Sequence, residues 1–118
     1  MTQFSTIKKR SDFVRMNSHA GRFVVSGFIL QMIENPALAE GEVRIGYTVT
    51  KKLGGAVTRN RIKRRLREAA RKTLPGAKDQ RDYVLIARDK AETCDFAELA
   101  REMTFAFSRI KAKQGQCN

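Results

Sequence analysis

The sequence predicts an α+β fold, an α/β sandwich in which one sheet packs against helices, and three observations carry that reading. Apolar spacing along the chain switches between a period of two and a period near 3.6, in the order helix, strand, strand, glycine turn, helix, strand, helix. The 118 residues are 42% hydrophobic with only two prolines, which is enough apolar material for one core and too much for a disordered basic chain. No repeat or linker divides them, so residues 1–118 are expected to form a single domain.

The first helix is predicted over Ser11–Asn17, with Ser11 as N-cap and Asp12 in the first turn, where the helix dipole favours an acid; His19-Ala20-Gly21 ends it. Phe23–Ile33 is β-branched and aromatic and reads as one strand, bent or bulged at Gly27. Glu34-Asn35-Pro36 then opens a loop that runs to Gly41. Val43–Thr50 alternates, which places Val43, Ile45, Tyr47 and Val49 on one core-facing side. After the flexible turn Lys51-Lys52-Leu53-Gly54-Gly55, a helix is predicted over Arg59–Leu74, with Thr58 as N-cap and Pro75-Gly76 as its stop. At 100° per residue, Ile62, Leu66, Ala69, Ala70 and Thr73 of that helix share one side. Asn60, Arg64, Arg67 and Arg71 occupy the other, flanked by Arg61, Arg65 and Lys72. Tyr83–Ala87 is a continuous apolar run, as expected of an interior strand covered on both faces. The last helix starts near Asp95, which forms a capping-box pair with Glu98, and carries Phe96, Leu99, Ala100, Met103, Ala106, Phe107 and Ile110 at core spacing. Phe28, Tyr47, Phe96 and Phe107 are assigned to packing, and the tail after about residue 112 is expected to fray.

Composition and motif searches exclude several functions. The longest uncharged stretch, Phe23–Ile33, has 11 residues, whereas a membrane-spanning helix needs about 20. The N-terminus has no apolar segment of the secretory kind, which makes the cytoplasm the expected compartment. Cys94 and Cys117 match neither a disulfide framework nor a zinc motif and are read as incidental reduced thiols. Acid–base catalysis would have a single histidine to draw on, His19, which is read as a surface residue. The acids form no paired-carboxylate motif for metal-assisted hydrolysis: Asp79 and Asp82 flank a strand start, Asp89, Glu92 and Asp95 fall in a loop, and all are read as solubilising. Gly54-Gly55 before a helix lacks the rest of a P-loop. The chain is therefore expected to contain no catalytic or metal-ligating set of its own.

What remains is binding, and the charge distribution says to what. The formal net charge is +12, from 24 Lys and Arg against 12 Asp and Glu. Residues 1–22 carry +4 and residues 51–72 carry +9, while the rest of the chain sums to −1. A solvated helix face usually alternates its signs, and 51–72 does not. Concentrated cationic charge is the footprint of a polyanion-binding surface, and arginine's planar donors suit phosphate oxygens. If about six cations neutralise phosphates, log affinity falls against log salt with a slope of roughly −4 to −5. Asn60 differs from its neighbours because its amide both donates and accepts. Phe13, beside Arg10 and Arg15, is either a stacking platform for single-stranded bases or a packing residue.

Lys51-Lys52-Leu53-Gly54-Gly55-Ala56-Val57-Thr58-Arg59-Asn60-Arg61-Ile62-Lys63-Arg64-Arg65-Leu66-Arg67-Glu68 closely resembles the Arg-Asn-Arg signature of the bacterial ribonuclease P protein family. Ile7-Lys8-Lys9-Arg10-Ser11-Asp12-Phe13 resembles the family's N-terminal motif. Arg44–Thr50 is similar to the strand leading into the signature, and Asp82–Arg88 to its final strand. The triplet alone is a weak signal, but this long context is specific.

The resemblance implies a ribosomal-protein-S5-domain-2-like sandwich, helix-strand-strand-helix-strand-helix, with a left-handed βαβ crossover carrying the signature helix; the general rule would have favoured the right-handed one. It implies a protein subunit of an endoribonuclease whose catalytic centre lies in a large RNA. That RNA uses Mg²⁺, held by RNA and substrate, to remove the 5′ leader of precursor tRNA. Carried over by position, Arg59, Asn60, Arg61, Lys63, Arg64, Arg67 and Arg71 become contacts to the catalytic ribonuclease P RNA. Phe13 falls in a leader cleft between the first helix and the sheet. Family members often have further aromatics where this chain has Asn17 and Gln31, which shifts leader binding toward polar and cationic contacts from Thr50, Lys51 and Lys52. A structural RNA-binding protein of ribosomal type is the alternative. A stand-alone basic nuclease lacks the residues, and a DNA-binding helix-turn-helix module is disfavoured because a strand, not a helix, precedes the basic helix. No membrane or DNA partner is expected.

Overall fold

A computed structural model of the chain describes residues 3–7, 11, 21–73 and 80–110. Apart from Ser11, the predicted first helix lies outside the described residues, as do Phe13, His19, Cys117 and the tail. Five strands, β1 (Gln3–Thr6), β2 (Gly21–Val24), β3 (Phe28–Glu34), β4 (Glu42–Thr48) and β5 (Arg81–Ala87), form one mixed sheet in the order β1-β4-β5-β3-β2. The helices are α1 (Ala56–Thr73), α2 (Lys90–Thr93) and α3 (Phe96–Arg109), with a 3₁₀ turn at Lys51–Leu53. Strand β5 is parallel to β4 and antiparallel to β3, so β4-α1-β5 is a parallel crossover unit.

The α+β class holds, but the strand inventory is larger than expected. Phe23–Ile33 is not one bent strand: β2 and β3 form an antiparallel hairpin that reverses at residues 25–27, where the Val25 amide donates to the Phe28 carbonyl at 3.0 Å. The reversal is held from a distance. Glu102 on α3 accepts from the Ser26 hydroxyl and, at 3.3 Å, from the Gly27 amide, while Arg88 donates to the Val25 carbonyl at 2.9 Å. A Cβ at Gly27 would lie 3.1 Å from Leu99 Cδ1, so glycine lets the turn sit against α3. Strand β1, absent from the expectation, pairs in parallel with β4 through Gln3↔Glu42 to Thr6↔Ile45.

Alternation sorts the sheet's two faces. Toward the helices, Phe28, Leu30, Met32, Val43, Ile45, Tyr83, Leu85 and Ala87 join Ile62, Leu66, Ala69 and Ala70 of α1 and Leu99, Met103, Ala106 and Phe107 of α3 in one buried cluster. Tyr83 and Phe107 meet edge to face, with centroids 4.9 Å apart. On the other face Val84 packs with Ile7, Ile33 and Ile86. Strand β5 is thus covered on both sides, as its sequence predicts. Of the four aromatics assigned to packing, Phe28 and Phe107 are fully in the core, and Tyr47 and Phe96 pack against it half-buried.

Several boundaries differ. Helix α1 begins at Ala56, not Arg59, because the Gly55 carbonyl already accepts from the Arg59 amide at 2.9 Å; Thr58 is inside the helix and is not its cap. Asp95 takes the N-cap position of α3 but makes no side-chain capping bond, so the capping box with Glu98 does not form. Glu92 belongs not to a loop but to α2, and Asp89 takes that helix's N-cap position. Asp82 is not a solubilising acid. It is fully buried opposite Arg44 on the face away from the helices, with Arg44 Nε donating to Oδ1 at 2.8 Å and Nη2 to Oδ2 at 2.6 Å. Asn35 Nδ2 adds a third bond to Oδ2 at 3.2 Å.

Candidate nucleic-acid interface

The cationic surface is a by-product of how α1 is docked. Burying Ile62, Leu66, Ala69 and Ala70 on the sheet and α3 fixes the rotation of the helix, and each large side chain in that stripe contributes roughly 1.5–3 kcal/mol. The opposite stripe is thereby held in water: Asn60, Arg64, Arg67 and Arg71 are all exposed. Strand β4 delivers the chain to this surface through Thr50, Lys51 and Lys52, all exposed, of which the two lysines begin the 3₁₀ turn. Gly54, at φ +138°, then turns the chain into α1.

Along α1 an open groove of about 450 Å³ is lined by Val57, Asn60, Arg61, Lys63, Arg64 and Arg67. Four of these six residues are cations and none is an acid. Five of the seven predicted RNA contacts therefore share one groove. Arg71 lies farther along the same exposed stripe, and Arg59 is half-buried with its Nε enclosed and without a hydrogen-bond partner. The candidate leader residues Thr50, Lys51 and Lys52 lie on the turn that precedes α1 and do not line the groove.

The flanking cations are engaged to different degrees. Arg61 approaches Glu92 of α2 at 3.5 Å, with its side chain half in water, a pairing worth about 0–1 kcal/mol that leaves the guanidinium open to exchange partners. Arg65 is spent on the fold, since its Nη2 donates to the Cys94 carbonyl and lies 3.9 Å from the Cys94 sulfur. Lys72 sits 5.1 Å over the Phe96 ring. Beneath the stripe, burial pushes the Tyr47 phenol up to about 12 against the opposing fields of Arg67 and Arg71. The phenol is thus neutral at ordinary pH and adds no negative charge under the arginines.

Val57 is the groove residue that the sequence reading missed. The signal was present, because positions 57, 60, 61 and 64 share one helical stripe; starting the helix at Arg59 cut it off. For metal binding, no group of three or more His, Cys, Asp or Glu side chains among the described residues is arranged to hold an ion. None of the helices among them is long and apolar enough to cross a membrane.

A sequence model of the family described as Ribonuclease P matches residues 1–111. The ribonuclease P protein component of Caulobacter vibrioides is 40% identical over 111 residues, covering 93% of this chain and 73% of the relative. That of Erythrobacter litoralis is 40% identical over 113 residues, covering 94% and 89%. Among solved structures, the RNase P protein of Staphylococcus aureus superposes with a TM-score of 0.75 at 28% identity, over 89% of this chain and 95% of that one. The fold is also that of the Thermotoga maritima RNase P protein, with a TM-score of 0.78 at 24% identity, over 91% and 98%.

Proposed function

The chain belongs to the ribonuclease P protein family and is a subunit of that tRNA-processing ribonuclease, and from this premise we propose how its surface is used. The α1 face, through Arg59, Asn60, Arg61, Lys63, Arg64, Arg67 and Arg71, binds the ribonuclease P RNA. Thr50, Lys51 and Lys52, together with Phe13, contact the 5′ leader of precursor tRNA. The observation that carries the first assignment is the groove itself, a single helix's lining of four cations, an asparagine and a valine without a carboxylate among them. Such a surface binds a polyanion through phosphate neutralisation and is read out by salt dependence.

The chemical step belongs to the RNA in this reading. Mg²⁺ held by the RNA and its substrate would supply Lewis-acid stabilisation of the oxygens of the phosphodiester being hydrolysed. Asp82, the fully buried acid, is committed to Arg44. The protein's work is positional: it neutralises backbone charge where RNA and substrate approach each other, in the cytoplasm, and holds the leader in register. Reconstitution tests this directly. Adding the protein to its RNA subunit is expected to restore leader cleavage at low Mg²⁺ and to favour precursor over mature tRNA. Cleavage that is unchanged by the protein, or equal affinity for the two tRNAs, would overturn it.

A further inference from the structure

We propose that Gly55 and Val57 form an apolar seat for an unpaired nucleobase of the RNA at the head of the α1 groove; this deepens the RNA-binding reading of α1 and rests on it. Val57 is 75% exposed, the highest value among the exposed large hydrophobics of the described residues, against 57% for Val24 and 49% for Phe105. Phe105 at least packs edge to face with Phe23 and lies under Arg109. Val57 joins neither buried cluster, yet it lines the groove beside Asn60 and the four cations. A β-branched residue is a poor choice for a solvated first helical turn, so the fold gains nothing from it there.

Gly55 is equally unexplained by the fold. Gly54 must be glycine, because its φ is +138° and a Cβ would fall 2.9 Å from Thr58 Cγ2. At Gly55 the backbone is not in the left-handed region, and a Cβ would meet nothing within 4 Å. An open glycine beside an open valine leaves low relief where a ligand's flat face can approach the backbone. Ala56 between them and Gly54 before them are exposed as well, so four consecutive uncharged residues, 54–57, interrupt a cationic surface. An RNA strand matches that alternation, since its phosphates meet cations and an unstacked base presents an apolar face. A paired base has no such face free. Asn60, one turn along the same stripe, can both donate to and accept from the base edge.

The test is equilibrium binding of the transcribed ribonuclease P RNA to the full chain across a salt series. Val57→Ser and Gly55→Leu are each expected to weaken binding about tenfold at every salt concentration, giving lines parallel to that of the unmodified protein. Val57→Ile should retain affinity. Arg64→Ala, by contrast, should flatten the slope by about 1. Thermal melts show whether Gly55→Leu folds; if it does not, Val57→Ser decides. Affinities for both variants within twofold of the unmodified protein, with Arg64→Ala still flattening the slope, overturn the seat and leave RNA binding by α1 standing. A changed slope for Val57→Ser also overturns it. If Arg64→Ala and Arg67→Ala alter neither affinity nor slope, the reading of α1 falls and takes the seat with it.

Discussion

Removing the carboxylate of Asp82 breaks a buried two-bond ion pair with Arg44. In Asp82→Ala, Arg44 loses two bonds of 2.8 and 2.6 Å, and Asn35 loses its acceptor. Breaking a fully buried pair from one side costs about 3–5 kcal/mol, and breaking an exposed one about 0–1 kcal/mol. Arg44 keeps 22% of its side chain in water while the Asp82 side chain is at 1%, so the guanidinium regains part of its hydration when the carboxylate is removed and the expected loss is about 2–4 kcal/mol. That is a large share of the ~5–15 kcal/mol typical of a domain. Replacing both partners by apolar residues, Arg44→Met with Asp82→Leu, should recover most of the loss, because the penalty comes from a desolvated charge that has lost its counter-charge and not from the missing attraction. Urea unfolding at constant m-value reads all three proteins. A loss under about 1 kcal/mol for Asp82→Ala, or a double variant no better than the single one, would refute the reasoning.

Leu66→Ala should lower stability by about 2–5 kcal/mol through the cavity it leaves in the main core; since the side chain points away from the groove, RNA affinity measured well below the melting temperature should not change. Glu102→Ala removes the acceptor shared by Ser26 and Gly27, so amide exchange at Gly27 should quicken, and unchanged exchange would show that the β2–β3 turn holds without α3. The Tyr47 phenol, raised from 10 to about 12 in the folded protein, binds its proton more tightly folded than unfolded. Its contribution to stability is therefore complete below pH 10 and is lost as pH rises toward 12. The phenolate absorbance that disappears in Tyr47→Phe should titrate in that upper range, and a midpoint near 10 would contradict the burial.

The parts legible in the sequence were those whose determinants are local. Helix α1 announces both its faces within 18 residues, and Tyr83–Ala87 carries the unbroken apolar run of a strand covered twice. The hairpin at residues 25–27 was not legible, because Val25-Ser26-Gly27 has no asparagine or aspartate turn signal and is held by Glu102 and Arg88, more than 60 positions away. Asp82 read as one more surface acid because its partner sits 38 residues earlier, on a strand whose register no window reveals. At the candidate site, the cationic stripe was plain from spacing. Val57 was not, because a helix start judged from capping residues fell three positions late when a glycine carbonyl served instead of a side chain.

The strand order β1-β4-β5-β3-β2 has a consequence for how the molecule comes into being. Before residues 81–87 take their place, β1-β4 and β2-β3 are two separate ribbons with no strand in common, each with an open inner edge of the kind that pairs with stray chains. Strand β5 is the keystone that joins them, and it is the last of the described strands to be made during synthesis. Helix α1 lies between β4 and β5 in the chain, so the arginine face can be presented at a fixed angle only once that keystone is seated. On a ribosome the first 80 residues would hold a dense band of positive charge on an unanchored helix. On the proposed reading of α1, RNA recognition depends on sheet closure, and mutations that slow the insertion of β5 should delay binding competence as much as they delay folding.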